Sequence, residues 1–505
     1  MPTKPTKKQM KKLVLGLLLM ISSVNSNAQD INIEKSNFTY SKGSEAINLS
    51  DIVDNKDGSK LYVYTSSLYT HYYFKLFDSN GNLIKETKYS DDERHCIKTS
   101  FTYNNTIYIF NTTYDKSSQL NTLYINTANT TDLKFTSKKL MTFKADHNFN
   151  DDISFYHRVS DDYAIQILLT EDRSAFSVYL NFQNDKKYTF HKLSVFDTQT
   201  LEILNEHQFP KEEDAFYKYR TLVVKKEDNS AYLLSEFSMA NTSIYSPAQF
   251  SKCEIHKLKN GELKKKELTN EQFTPKQVAM VEKKGKLSVA GFYAKRNDKK
   301  LTFEQNAIGT CYYDIDPETL AITNSKFNPF KSSFYIEKFG KEKKEGFIEY
   351  GCAIKCVYLA PNNDVFITTQ NKDISEFGDI TAFRINDNGE TVWVKNIPLA
   401  QVFLRNKALS YALLPTGNEL YFFLNAEVKE SGKGKIKFEN HGTSDANLTV
   451  IKLDDTGALT HKTLVKRKES EYTFFPVFGV NSKKDNALYL EGRDDNKKEM
   501  LKITL

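Results

Sequence analysis

The sequence predicts an all-β chain, a single β-propeller of about eight four-stranded blades, with seven blades as the alternative. Three observations carry that expectation. A hairpin motif recurs along the chain, its copies lie about 63 residues apart, and the strand-forming texture does not change from end to end.

The hairpin is an apolar run, an Asp or Asn, a turn, and a second run. It reads "YYFKLFDSNGNLIKET" at Tyr72–Thr87, "HKLSVFDTQTLEILNE" at His191–Glu206 and "CEIHKLKNGELKKKEL" at Cys253–Leu268. It returns as "CYYDIDPETLAITNSK" at Cys311–Lys326, "ITAFRINDNGETVWVKNI" at Ile380–Ile397 and "LTVIKLDDTGALTHKTL" at Leu448–Leu464. Its turn positions Asp78, Asp197, Leu258, Asp316, Asn386 and Asp454 are 119, 61, 58, 70 and 68 residues apart. A weaker copy at Asn121–Phe135 divides the first interval. With 35 Phe and 29 Tyr against 20 Gly and 11 Pro, the chain is rich in residues that suit a pleated, half-buried surface. A sheet of about four strands per repeat leaves apolar faces that only its neighbours can cover, which is the logic of a propeller. A row of two or three β-sandwiches is the competing architecture, but it would not repeat one hairpin.

A second element, a polar turn and then an apolar strand, precedes each hairpin. Its copies are "GSKLYVYTSS", "NNTIYIFNTT", "DDYAIQILLT", "NSAYLLSEF", "KGKLSVAGFY", "NNDVFITTQ", "GNELYFFLN" and "DNALYLEG". The last is followed only by "KKEMLKITL", Lys497–Leu505, one strand short of a unit. Residues 30–40, containing "INIEKSNFTY", are therefore expected to supply the missing outer strand of the last blade and remove its exposed edge. Two stretches break the rhythm, Pro210–Arg220 and Phe334–Tyr350. They are expected to be charged connecting loops.

The first 28 residues differ from the rest. Five lysines, Lys4 to Lys12, precede "LVLGLLLMI" and then the small, polar "SSVNSNA". This order predicts a secretory signal peptide cleaved between Ala28 and Gln29, leaving residues 29–505 as the propeller domain. The apolar run is too short for an ordinary membrane span, and no other stretch is long enough. Without the five lysines, the formal charge falls from +6 to +1, because no acid lies in that segment. A near-neutral domain with interleaved Lys and Glu argues against nucleic acid as a partner.

Five cysteines, Cys96, Cys253, Cys311, Cys352 and Cys356, leave at least one thiol unpaired. Cys352 and Cys356 lie four apart, which fits neither CxxC redox chemistry nor a zinc site. A local disulfide between them is one reading, two small buried residues the other.

No catalytic or cofactor motif is legible. "INDNGETVW" at Ile385–Trp393 approaches the Ser-x-Asp-x-Gly-x-Thr-Trp box of sialidases. It has Ile for Ser, however, and its Trp falls one residue late, on the other face of the strand. A tight turn held by Asn386 and Gly389 explains it, with Trp393 as a packing residue whose replacement by Ala would cost roughly 3–5 kcal/mol if buried. "DNKDG" at Asp54–Gly58 and "DSNGN" at Asp78–Asn82 lack calcium-loop spacing, so no metal is expected. None of the nine histidines forms a ligand pair such as HExxH, and no P-loop, GxSxG or GxGxxG stands in the right context. Catalytic residues are therefore not assigned, and no cofactor is expected.

The leader, "AGFYAK" at Ala290–Lys295, "YYDIDPETLAI" at Tyr312–Ile322 and "FGDITAFRINDNGETVWVKNIP" at Phe377–Pro398 together resemble exported propeller-like proteins of Bacteroidetes-type bacteria. That group has no assigned activity. The resemblance implies fold and export and carries no site residue across. The D-x-x-G-x-x-x-W style is also similar to quinoprotein-like blades, without their quinone-binding residues. Since "EMLKITL" is taken up as a blade strand, no C-terminal sorting tail remains, which favours the periplasm over the cell surface. The functional expectation is a non-enzymatic binding or scaffold propeller contacting a protein or glycan through loops on one face. The alternative is a glycan-active lyase or hydrolase with its site over the central channel.

Overall fold

In the computed structural model the described residues are 31–39, 47–66, 71–90, 95–144, 165–184, 187–210, 215–239, 252–268, 270–296, 307–339, 342, 352–372, 376–402, 409–430, 436–440, 446–482, 486–494 and 497–505. The expected signal peptide and its expected cleavage point, Ala28 and Gln29, lie outside them. The described residues form eight antiparallel blade sheets, so the chain is an eight-bladed β-propeller. In chain order the blades begin with the strands Ile47–Asp54, His95–Tyr103, Ile165–Leu169, Ala215–Val224, Phe273–Lys283, Cys352–Leu359, Tyr411–Thr416 and Thr473–Phe474. Each of these is the innermost strand of its blade.

The recurrent hairpin is the outer half of blades 1 to 7. Its turn is built as the sequence suggests: Asn386 Oδ1 accepts the N–H groups of Asn388 and Glu390, and Asp454 Oδ1 those of Thr456 and Ala458. Gly389 takes φ +84°, a left-handed conformation that glycine adopts without a Cβ penalty. Central strands are buried on both faces, as in Lys286–Lys295 and Gly309–Ile315, and so read as continuous apolar runs. Outer strands such as Leu83–Tyr89 carry exposed lysines and glutamates, which blunts their edges.

Eight apolar clusters hold the blades together, and each one joins consecutive blades. Leu61, Val63 and Phe74 of blade 1 meet Ile107 and Ile109 of blade 2. The set ends with Leu49, Ile52, Tyr62 and Tyr64 of blade 1 against Ala487, Tyr489 and Met500 of blade 8. Full burial of an aliphatic or aromatic side chain contributes about 1.5–3 kcal/mol, so these seams dominate the stability of the ring.

Blade 8 is completed as expected. Asn32–Thr39 pairs antiparallel with Lys497–Thr504 through eight register positions, from Asn32 opposite Thr504 to Thr39 opposite Lys497. The ends of the described chain are thus joined in one sheet.

Three features differ from the sequence reading. "DDYAIQILLT" contributes the innermost strand of blade 3, not its second; Ala175–Asn184 is the second. Its apolar run is equally suited to either place, and pairing decides. Phe334, at the start of the charged stretch Phe334–Tyr350, lies in a helix, Ser332–Phe339, that buries Phe334 and Tyr335 in the seam between blades 5 and 6. The rest of that stretch is almost entirely outside the described residues; of Pro210–Arg220, 211–214 lie outside them and Ala215–Arg220 open the innermost strand of blade 4 instead of forming a loop. Finally, blade 7 carries an unforeseen hairpin, Glu427–Glu430 and Ile436–Asn440. It runs back to Leu399–Val402 and extends the sheet of blade 6. Short, lysine- and glutamate-rich strands of this kind carry no apolar pattern to announce them.

Trp393 is half-buried, not enclosed. Its indole N–H donates to the carbonyl of Asp455 in the next blade at 3.1 Å, and its ring meets Phe366 edge-on at 5.7 Å. We expect Trp393→Ala to cost about 2 kcal/mol, below the range for a fully enclosed side chain, as measured by denaturant unfolding. A change within error would remove Trp393 from the blade 6–blade 7 seam.

Candidate functional site

The four-stranded meander places two kinds of connection on opposite faces. Tight turns link first to second and third to fourth strands on one face. Second strands end, and third strands begin, on the other, as do the steps from one blade to the next. The innermost strands line the channel between the faces.

Those innermost strands share an irregularity. The pairing register slips around Ser50 in blade 1, Arg220 in blade 4, Gln277 in blade 5 and Lys355 in blade 6. A bulge adds one unpaired residue and re-aims its side chain. All four residues are exposed, whereas Leu49, Asp51, Tyr219 and Val278 beside them are buried. Blades 4 to 6 therefore present Arg220, Gln277 and Lys355 from consecutive inner strands. Arg220 is clamped by Glu236, with Nε at 3.0 Å and Nη2 at 2.6 Å from one carboxylate oxygen. Gln277 Oε1 accepts the Ile354 N–H at 3.1 Å, tying the wall of blade 5 to that of blade 6. The ammonium of Lys355 donates to Ser410 Oγ at 2.8 Å and lies 5.4 Å from the ring centre of Tyr411.

Behind Arg220, between blades 3 and 4, lies a group of acid–base side chains. His256 Nε2 is 3.0 Å from Glu254 Oε2, and Nδ1 is 2.9 Å from the Tyr219 hydroxyl. With Nε2–H donated to the carboxylate, Nδ1 is left to accept from Tyr219, a carboxylate–imidazole–phenol relay. Next to it the Tyr179 hydroxyl lies 2.6 Å from His191 Nε2, and the His191 ring stacks on Phe209 at 3.9 Å. Lys265 donates to the Tyr217 hydroxyl at 2.7 Å. Such a relay can move a proton, but Tyr219 is 3% exposed and His256 0%. No reacting atom reaches it in this arrangement.

A second charged group sits at the blade 8–blade 1 seam. Glu491 is buried and receives Lys498 and Arg493, while Lys498 lies 4.8 Å from the ring centre of Tyr64. Burial pulls the Lys498 ammonium down to about 8, with Glu491 pulling the other way. Its folded value lies below its unfolded one, so between these values the unfolded chain binds more protons and stability rises with pH. We expect the wild type to gain stability relative to Lys498→Met between about pH 8 and pH 10.5, in equilibrium unfolding at each pH. A flat difference would mean that Lys498 titrates normally.

The sequence assigned no role to His191, His256 or the other histidines, and left the Cys352–Cys356 pair between a local disulfide and two buried residues. The structure brings the two histidines into one buried cluster, as sheet positions reached from different blades. Arg220, Gln277 and Lys355 were missed, because a bulge leaves no local signal that distinguishes it from a regular strand. The disulfide between Cys352 and Cys356 is a correction: Cys356 is free. Both residues lie on one strand, Cys352–Leu359, where four extended residues span about 13 Å, roughly twice the Cα separation a disulfide tolerates. Cys253 and Cys311 are also free and fully buried, and burial pushes both thiols up. We expect neither to be alkylated by iodoacetamide in the native protein, and both to be labelled after unfolding, by peptide mass mapping. Native labelling at either site would contradict the packing of the blade 4–blade 5 seam. Cys96, though on a described strand, has no described side chain.

Among the described residues no group of three or more His, Cys, Asp or Glu is arranged to hold a metal ion, and no helix is long and apolar enough to cross a membrane.

No protein-family model and no curated protein matches the chain. Solved structures do. The β-propeller domain of the Trilobed protease from Pyrococcus furiosus is similar at 11% identity and TM-score 0.35, over 84% of this chain and 97% of that one. The polysaccharide lyase Uly1 is similar at 11% identity and TM-score 0.41, over 80% of this chain and 89% of that one. A catalytically inactive virginiamycin B lyase from Staphylococcus aureus with quinupristin is similar at 8% identity and TM-score 0.32, over 93% and 99%. At these identities and TM-scores no residue role is carried across.

Proposed function

We propose that this chain is an exported, periplasmic binding propeller of the bacterial envelope that holds a protein or glycan on its channel wall and loop-bearing face without transforming it. One observation supports the reading. The side chains that inner-strand bulges expose, Ser50, Arg220, Gln277 and Lys355, are hydrogen-bond donors and cations suited to holding a ligand, whereas the histidines and tyrosines able to move protons are sealed beneath them. Export rests on the leader-like segment before Gln29.

The test is recovery of the tagged protein from its host's periplasmic fraction, with N-terminal mapping, followed by binding measurements against envelope glycans and co-purifying proteins. We expect a mature start at Gln29 and saturable binding weakened by Arg220→Ala. Binding unchanged in that variant, or a cytoplasmic chain that keeps its first 28 residues, would overturn the reading.

A second reading, a glycan-active enzyme, is favoured by the Glu254–His256–Tyr219 relay directly behind Arg220. Unsaturated products or new reducing ends from polysaccharides, abolished by Tyr219→Phe, would establish it in place of the first.

A further inference from the structure

The junction of blades 6 and 7 carries three independent anomalies within one hydrogen-bonded chain. Lys355 is the exposed residue of an inner-strand bulge, and its ammonium lies between Ser410 Oγ at 2.8 Å, the Tyr411 ring at 5.4 Å and the Phe377 ring at 5.9 Å. Ser410 holds φ +70°, a left-handed conformation costly for a residue with a Cβ. It is fixed there by its N–H to Gln401 Oε1 at 2.6 Å and by its hydroxyl to Gln370 Oε1 at 2.6 Å. Gln370 is 2% exposed, and its amide nitrogen has no hydrogen-bond partner. An unmet buried donor is destabilising, and an apolar residue of similar volume would remove it. Strain, an exposed cation and an unmet donor coincide where the inner wall turns from one blade to the next.

We propose that this junction is a subsite for the carboxylate of an acidic saccharide, resting on the reading above that the protein binds a ligand on its channel wall. The carboxylate takes the Lys355 ammonium from the channel side. That draws the ammonium from Ser410, whose hydroxyl stays on Gln370 Oε1, and leaves the Gln370 amide N–H as the further donor beneath it. Phe377, half-buried beside the ammonium, offers apolar ring surface to the sugar C–H groups, and the buried Tyr411 ring backs the ammonium from behind. Along the same wall, Gln277 and Arg220 follow in blades 5 and 4, a row of donors that suits the hydroxyl groups of a saccharide chain running across the channel.

The experiment is titration calorimetry on the full mature chain with oligogalacturonate, a neutral β-glucan oligosaccharide and a poly-glutamate peptide. It is run for the wild type and for Lys355→Met, Lys355→Arg and Gln370→Glu. The wild type is expected to bind oligogalacturonate, less tightly as salt rises. Lys355→Met and Gln370→Glu each weaken binding by about tenfold or more, the second because its new carboxylate captures Lys355, while Lys355→Arg retains most of it. Melting temperatures report folding independently, and Gln370→Glu keeps the acceptor for Ser410, so lost affinity in a folded variant belongs to the subsite. Equal affinity in Lys355→Met, or a preference for the neutral saccharide or the peptide, overturns the proposal. If the neutral saccharide or another envelope ligand binds the wall, the binding function stands and only the acidic subsite falls. Turnover of a saccharide that Lys355→Met leaves unchanged removes both.

Discussion

Blades 1 to 6 each grip the hairpin turn of the blade that follows, beginning with Lys85 on the Asp132 carbonyl and Lys138 on the Thr200 carbonyl. Lys257 in blade 4 donates to the Pro317 carbonyl of blade 5 at 2.9 Å, and the Tyr232 hydroxyl reaches the same oxygen. Lys283 and Lys284 in blade 5 hold Asp387 of blade 6 at 2.6 and 2.7 Å, and Asn328 donates to the Gly389 carbonyl. Trp393 and Arg384 in blade 6 close on Asp455 of blade 7, and His207 in blade 3 on Gly261 of blade 4. These ties are partly exposed, and such ion pairs contribute about 0–1 kcal/mol each. The apolar seams beneath them supply most of the stability. The grips matter because they are directional: an apolar seam tolerates a sliding neighbour, whereas a turn carbonyl held at about 3 Å does not. Blade-to-blade register, and hence the placement of every channel-facing residue, depends on that repeated contact.

The channel wall follows from this register. A bulge in the innermost strand is tolerated because that strand has pairing on one side only, so an extra residue disturbs one ladder. The protein uses that freedom to expose Ser50, Arg220, Gln277 and Lys355 on segments otherwise packed against their neighbours. The same architecture explains why the histidines are sealed. His191 and His256 stand on third strands, which are covered on both faces by adjacent blades. Tyr179 holds His191, and Tyr219 and Glu254 hold His256, within the seam.

Much of the fold was legible beforehand, because a propeller repeats its signals. Asp78, Asp316, Asn386 and Asp454 recur with turn geometry that local chemistry dictates, and the missing last strand could be inferred from counting units. The exchange of first for second strand in blade 3 shows the limit: "DDYAIQILLT" and "SAFSVYLNF" are equally apolar, and only pairing separates them. The candidate site was far less legible. Nothing in "YKYRTLVV" marks Arg220 as the bulged residue, and Gln370 sits in "FITTQNK" as an ordinary strand position.

By itself the sequence determined the class of fold, the repeat length, the turn chemistry and the strand that completes blade 8, since the turns are written in neighbouring residues and counting their copies along the chain leaves the last unit one strand short. Tertiary structure decided that Cys352 and Cys356 stay apart, that Trp393 is half-exposed, and that Lys355, Ser410 and Gln370 meet. Those outcomes depend on which strands lie side by side and where their register slips, and both are set by packing between blades, beyond the reach of any local pattern.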